Sequence, residues 1–193
     1  MILVALTLFI WGIQTASAQT WGIKTNALYD ATRTVNIGTE FALGKKWTLD
    51  VSGNYNGWNA GSRCEKMKHF MVQPELRYWT CDVFNGHFFA LHAMGGGYNI
   101  SNVRFPFFTR KFDDGNRYEG WFVGAGVGYG YSWVLGKRWN LEAEIGAGYA
   151  YSPYDSYECL ECRRSLDSGT RHYWGITKAA ISLIYFLKSL VSR

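Results

Sequence analysis

The sequence predicts an all-β protein, a transmembrane up-and-down antiparallel β-barrel of about eight strands. Three observations predict it: long stretches of period-two alternation between apolar and polar residues, an aromatic and glycine-rich composition, and connections that alternate between short and long. The chain has 193 residues, enough for one domain with a core, and contains 9 Trp, 13 Tyr, 12 Phe and 22 Gly against 3 Pro. Trp and Tyr carry one apolar and one wet side and gather where lipid meets water. The mean hydropathy is close to zero, which argues against a helical membrane protein. A barrel needs only every second residue to be apolar. The formal charge is +5, but basic and acidic residues are interspersed, so nucleic acid is not an expected partner.

Residues 1–18 read as a signal peptide, leaving 19–193 as the barrel. An apolar run from Ile2 to Ile13 is followed by Ala16-Ser17-Ala18, the small-x-small pattern of a cleavage site. The run is shorter than the roughly 20 residues of a membrane-spanning helix. The expected destination is the bacterial outer membrane, crossed by strands.

The strands follow in order. Segment 21–29 turns Ile23, Thr25 and Ala27 outward, with Lys24 and Asn26 inward. Segment 35–43 turns Ile37, Thr39 and Phe41 outward, with Asn36, Gly38 and Glu40 inward. Segment 47–56 alternates Trp47, Leu49, Val51 and Tyr55 with Thr48, Asp50, Ser52, Asn54 and Asn56. In 70–78, Val72, Leu76 and Tyr78 oppose Gln73, Glu75 and Arg77, and Pro74 predicts a bulge or a missing ladder bond. Segment 89–98 has Phe89, Leu91 and Ala93 outside, with Ala90, His92 and Met94 inside. Segment 121–135 alternates aromatic and aliphatic residues with Gly124, Gly126, Gly128, Gly130 and Ser132. Segment 139–151 places Asn140, Glu142 and Glu144 inside, and 175–186 does the same with Lys178, Ala180 and Ser182.

A soluble barrel would invert this pattern, with its apolar face inward. The turns 44–46, 82–86 and 136–138 are short. The connections at about 56–69, 99–118 and 152–173 are long and polar, as expected of loops on the outer side. The stretches Leu43-Gly-Lys-Lys-Trp-Thr-Leu-Asp and Leu135-Gly-Lys-Arg-Trp-Asn-Leu-Glu echo each other and suggest hairpin duplication.

The inward phases gather Lys24, Arg77 and Lys178 with Glu40, Asp50, Glu75, Glu142 and Glu144. Unpaired charge is expensive in a narrow interior, so these residues are expected to pair into a structural plug. A gated pore or ion path is the alternative. Cys64, Cys159 and Cys162 fall in outer loops, where an oxidising setting makes a disulfide the default. Cys81 falls at the opposite end. A zinc site would need His69 or His172 as a further ligand, and Cys-x-x-Cys alone is a weak signal for one. Neither metal nor cofactor is expected.

An enzyme would need His69 or His172 against a nucleophile such as Ser62 or Ser168. The sequence has no recognisable nucleophile motif, so catalysis by a lipid-modifying site is the lesser alternative. Basic loop residues Arg63, Lys66, Lys68, Arg110, Lys111, Arg163 and Arg164 suit lipopolysaccharide phosphates, the bland alternative being a solvated loop. Phe105, Phe107 and Phe108 form an apolar run of the kind that marks a contact site.

Several segments are similar to a known family. They are Lys24-Thr25-Asn26-Ala27-Leu28-Tyr29-Asp30, Gln73-Pro74-Glu75-Leu76-Arg77-Tyr78-Trp79, Asn85-Gly86-His87-Phe88-Phe89, Tyr118-Glu119-Gly120-Trp121 and the stretch from Leu135 to Glu142, with Cys159-x-x-Cys162 after them. Together they resemble an uncharacterised Bacteroidetes small outer-membrane β-barrel family, a domain of unknown function sometimes encoded beside fimbrial subunits. The resemblance implies a small barrel and no catalytic residues. The expected partners are outer-membrane lipid and lipopolysaccharide, the barrel assembly machinery that reads a terminal aromatic such as Phe186, and surface or fimbrial proteins. The expected function is a non-catalytic envelope or adhesion module.

Overall fold

The computed structural model describes residues 21–57, 66–101, 116–158 and 165–187. Eight strands run in chain order: β1 (Trp21–Asn26), β2 (Val35–Ala42), β3 (Trp47–Asn56), β4 (Lys66–Trp79), β5 (Gly86–Ser101), β6 (Asn116–Val134), β7 (Trp139–Glu158) and β8 (Ser165–Phe186). A short helix, α1 (Ala27–Ala31), joins β1 to β2. Each strand pairs antiparallel with the next, and β1 pairs with β8, so the sheet closes on itself. The short turns lie together at one end, here the near end, and the longer connections lie at the far end. The signal peptide expected at 1–18 lies outside the described residues.

Period-two alternation sets which residues face in. Along β3, Thr48, Asp50, Ser52, Asn54 and Asn56 are buried, while Trp47, Val51 and Tyr55 are exposed. The same holds around the ring: buried polar residues inside, exposed Ile37, Val72, Leu91, Val127 and Ile145 outside. The distribution is inverted relative to a soluble globule. Aromatic pairs mark both ends of the outward face. Trp47–Tyr78, Tyr131–Trp133 and Trp139–Tyr185 lie at the near end, with ring centroids 5.1, 4.7 and 4.9 Å apart. Trp121–Tyr151 and Tyr149–Trp174 lie toward the far end, at 6.0 and 4.7 Å.

Inside, two apolar clusters bracket a polar middle. The near one joins Trp79, Phe84, Phe88, Ala90, Ile184 and Phe186. The other joins Met71, Met94 and Ala150, with Tyr29, Phe122 and Tyr173 packed against it. Burial among these groups raises the Tyr29 phenol above its ordinary pKa. The inward glycines of β6 explain part of the glycine enrichment. A Cβ on Gly130 would collide with the Phe88 ring, and one on Gly124 would lie 2.7 Å from Met94 Cε. Side chains of β5 therefore lie across a bare strip of β6.

Several expectations are corrected. The first strand stops at Asn26 and does not run to residue 29. The Asn26 side chain accepts from the Leu28 N–H as the N-cap of α1. It also bridges to β8, accepting from the Ile181 N–H at 3.1 Å and donating to the Ala179 carbonyl at 3.2 Å. Ala27 therefore belongs to a helix and not to an outward strand face.

The long connections are shorter than 56–69, 99–118 and 152–173, because β4 to β8 continue into them. Side-chain contacts hold those extensions. The Tyr118 and Tyr154 rings pack 5.7 Å apart, and the Arg171 guanidinium lies 5.0 Å from the Tyr154 ring. At Pro74 the outcome is a missing ladder bond. The β4–β5 register is the same at Val72↔Gly95 and Glu75↔His92, yet Gln73 and Pro74 have no β5 partners. A true bulge lies elsewhere, where the β7–β8 register shifts between Gly146 and Ala147, opposite Thr177.

Candidate functional site

Inward phase alone brings the charged residues to one level. β1 supplies Lys24, β2 Glu40, β3 Asp50, β4 Glu75 and Arg77, β7 Glu142 and Glu144, and β8 Lys178. All eight belong to one ion-pair network. Arg77 is its centre: Nε lies 2.5 Å from Glu75, Nη1 2.8 Å from Glu40 and 2.9 Å from Glu142, and Nη2 2.8 Å from Glu144. Lys24 lies 2.6 Å from Asp50, and Lys178 lies 2.5 Å from Glu75 and 3.2 Å from Glu144. A planar guanidinium with five donors in a fixed fork can meet four carboxylates at once, more than the three donors of an ammonium can serve. Arg77 and its carboxylate partners are fully buried.

The network rests on the near aromatic cluster. Arg77 sits 4.5 Å over the Phe88 ring, where the negative face of the ring attracts it. Trp79 Nε1 donates to Thr48 Oγ1 at 2.9 Å, and that hydroxyl donates to Glu40 at 2.6 Å. A turn of the chain closes the end below. Phe84, between β4 and β5, tucks its ring beneath the barrel against Trp79 and Phe186. Its carbonyl accepts from Asn140 Nδ2 at 2.6 Å. Sequence phase located the charges but missed this plug. Its signal was Val83-Phe84, an apolar pair inside a polar turn. On the far side, His92 Nε2 lies 2.8 Å from Thr177 Oγ1, and its other nitrogen lies 3.8 Å from Glu75. As a chemical object the lumen is an ion-paired, side-chain-filled interior.

The remaining expected site residues are less gathered. Cys64, Cys159, Cys162, Arg63, Phe105, Phe107, Phe108, Arg110, Lys111, Arg163, Arg164 and Ser62 lie outside the described residues. Lys66 begins β4, and Lys68 is exposed beyond Phe70 on the same strand. Cys81 is a free, exposed thiol in the near-end connection 80–85. His69 pairs in register with Asn56 and Tyr98. His172 faces outward, with Nδ1 2.5 Å from the Tyr149 hydroxyl and its ring stacked on the Tyr149 ring. That contact is with a phenol, whereas the hydrolase alternative calls for a serine or carboxylate. Among the described residues, no group of three or more His, Cys, Asp or Glu side chains is arranged to hold a metal ion.

No curated protein and no solved structure matches the chain. One family model does, and it extends over residues 4–187. The chain belongs to that family, described as "Protein of unknown function (DUF3575)".

Proposed function

We propose that the chain is an outer-membrane β-barrel with a closed lumen, serving the envelope as a non-catalytic structural or adhesive module. The observation that carries this reading is the inverted surface: an apolar outward band between two sets of aromatic residues, around a core of paired charges. Its height suits a bilayer. On β7 the band runs from Trp139 to Tyr149. Ten steps of about 3.3 Å, tilted by about 40°, rise about 25 Å, the height of an outer-membrane apolar belt.

Three cations and five carboxylates give the network a formal charge of −2. The whole chain carries +5, so the surfaces and connections hold the positive excess. That excess suits contact with lipopolysaccharide phosphates through Lys68 and the basic residues of the far connections. Cys64, Cys159 and Cys162 suit a disulfide in those connections. A surface appendage such as a fimbria is one candidate load for such an anchor.

The test is single-channel conductance of the refolded chain in a planar bilayer, with a heat-modifiability gel to establish folding. A folded protein that does not conduct is the expected outcome. Steady, salt-dependent conductance would replace the closed module by a pore and make the lumen acids its selectivity residues.

A further inference from the structure

Among the described residues β1 closes the sheet against the lower part of β8, and α1 packs against β8 next to that seam. β1 has six residues and pairs with β8 only over Ser182–Phe186, whereas β7 pairs with β8 along almost its whole length. Above the seam Asn26 bridges to Ala179 and Ile181. Among the described residues no strand pairs with that side of β8 above this point.

The bulge decides which backbone groups face the open side. Below it, odd-numbered residues turn their N–H and C=O toward β1, as Ala179 and Ile181 do toward Asn26. The register shift at Thr177 reverses the phase, so above it even-numbered residues face the edge. Two hydrogen bonds agree with this. The Ile176 carbonyl accepts from the Tyr173 hydroxyl at 3.1 Å, and the Ser168 N–H donates to the Asp167 carboxylate at 2.9 Å. Both ends of the edge are thus occupied by side chains. Between them Thr170, His172 and Trp174 present successive backbone donor–acceptor sites, with their side chains outward. Trp174 is 77% exposed, the highest value among the described large apolar residues.

We propose that the β8 edge from Thr170 to Trp174 takes up an extended segment of another exported protein as an added strand. Only an extended backbone satisfies alternate N–H and C=O groups at the spacing of a ladder. A β-branched or aromatic residue of that segment would lie beside Trp174.

The choice of another protein over a second copy rests on the proposed membrane orientation. β8 runs from the far end to the near end in every copy. Two copies inserted the same way meet at this edge with strands crossing at twice the tilt, about 80°, which no ladder tolerates. A free segment arriving from the far side has no such constraint.

The test is residue-resolved amide hydrogen exchange on the full, refolded chain in micelles. The probe is a capped peptide of about nine residues, alternating threonine and valine with a lysine at each end. A twin N-methylated on alternate residues cannot form the ladder. Without peptide, the Thr170, His172 and Trp174 amides should exchange about 100-fold faster than those of Arg171 and Tyr173, which face β7. The peptide should slow the edge amides about tenfold, and the twin should not. His172→Pro removes an edge N–H, together with the ring contacts to Tyr149 and Tyr151, and should abolish the peptide effect. Thr170→Pro serves if that variant does not refold.

Edge amides protected without peptide, or unmoved by it, would overturn the proposal. So would protection that grows with protein concentration, since a second copy would then hold the edge. A chain that refolds without detergent and ignores vesicles would refute the membrane reading instead. The exchange pattern would still report on the edge itself.

Discussion

Arg77 organises the lumen because its fork reaches carboxylates on β2, β3 and β7 as well as on its own strand. Replacing it by methionine keeps much of the volume and removes the charge, leaving five buried carboxylates to two lysines. The expected loss is about 3–5 kcal/mol, the cost of breaking a buried pair from one side. Arg77→Lys should fall between Arg77→Met and the parent, because one ammonium cannot span the same partners. Urea unfolding in detergent reads both, and an Arg77→Met midpoint equal to the parent's would refute a central role.

Phe84 makes a second prediction at this scale. Its φ is 66°, in the left-handed region, although its side chain is large and almost fully buried. The packing of its ring offsets a backbone cost of about 1–2 kcal/mol. Phe84→Ala keeps that cost and loses the packing, so it should destabilise by about 3–5 kcal/mol. Phe84→Gly relieves the backbone and should be milder by about 1 kcal/mol, the reverse of the ordinary Ala-over-Gly order in a strand. Equilibrium unfolding of the two variants decides the sign.

At the scale of elements, β6 contributes space where other strands contribute side chains. A methyl on Gly130 would meet both the Phe88 ring and, at 2.8 Å, the Ala143 carbonyl oxygen. Because one neighbour is backbone, Gly130→Ala should cost about 1–3 kcal/mol. A methyl on Gly136, in the β6–β7 turn, would meet nothing within 4 Å, so Gly136→Ala should be close to neutral. Similar unfolding midpoints for the two would mean that the strip is not tightly packed.

The sequence made the phase of each strand legible, since polarity alternates wherever one side is apolar and the other polar. The eight charged residues followed from phase alone. What was not legible lies where alternation is imitated or fades. Ala27-Leu28-Tyr29 continues the pattern of β1 in letters, but capping by Asn26 turns it into α1. The upper parts of β6, β7 and β8 carry polar residues on both sides, so their pairing left no periodic trace. The aromatic plug depends on one turn folding back under the barrel, a tertiary event that composition does not encode.

At the scale of the whole molecule, the question is whether the interior is solid or wet, and salt can answer it independently of conductance. If the cluster of Trp79, Phe84, Phe88 and Phe186 below and Met71 and Met94 above close off the network, mobile ions are kept at a distance from it. Screening acts strongly on exposed charges and weakly on buried pairs. The urea midpoint should therefore change little between about 0.05 M and about 0.5 M NaCl, over which the screening length falls severalfold. A lumen filled with water would behave differently. Its attractions would be screened, the excess carboxylates would gain counter-ions, and the midpoint would move with salt. The Arg77→Met variant sharpens the comparison. If the parent is sealed, removing the central cation leaves repelling carboxylates that water must enter to solvate, and salt dependence should appear in the variant alone. Equal salt dependence in both proteins would mean that the interior was open from the start, and the closed-module reading would give way to the pore.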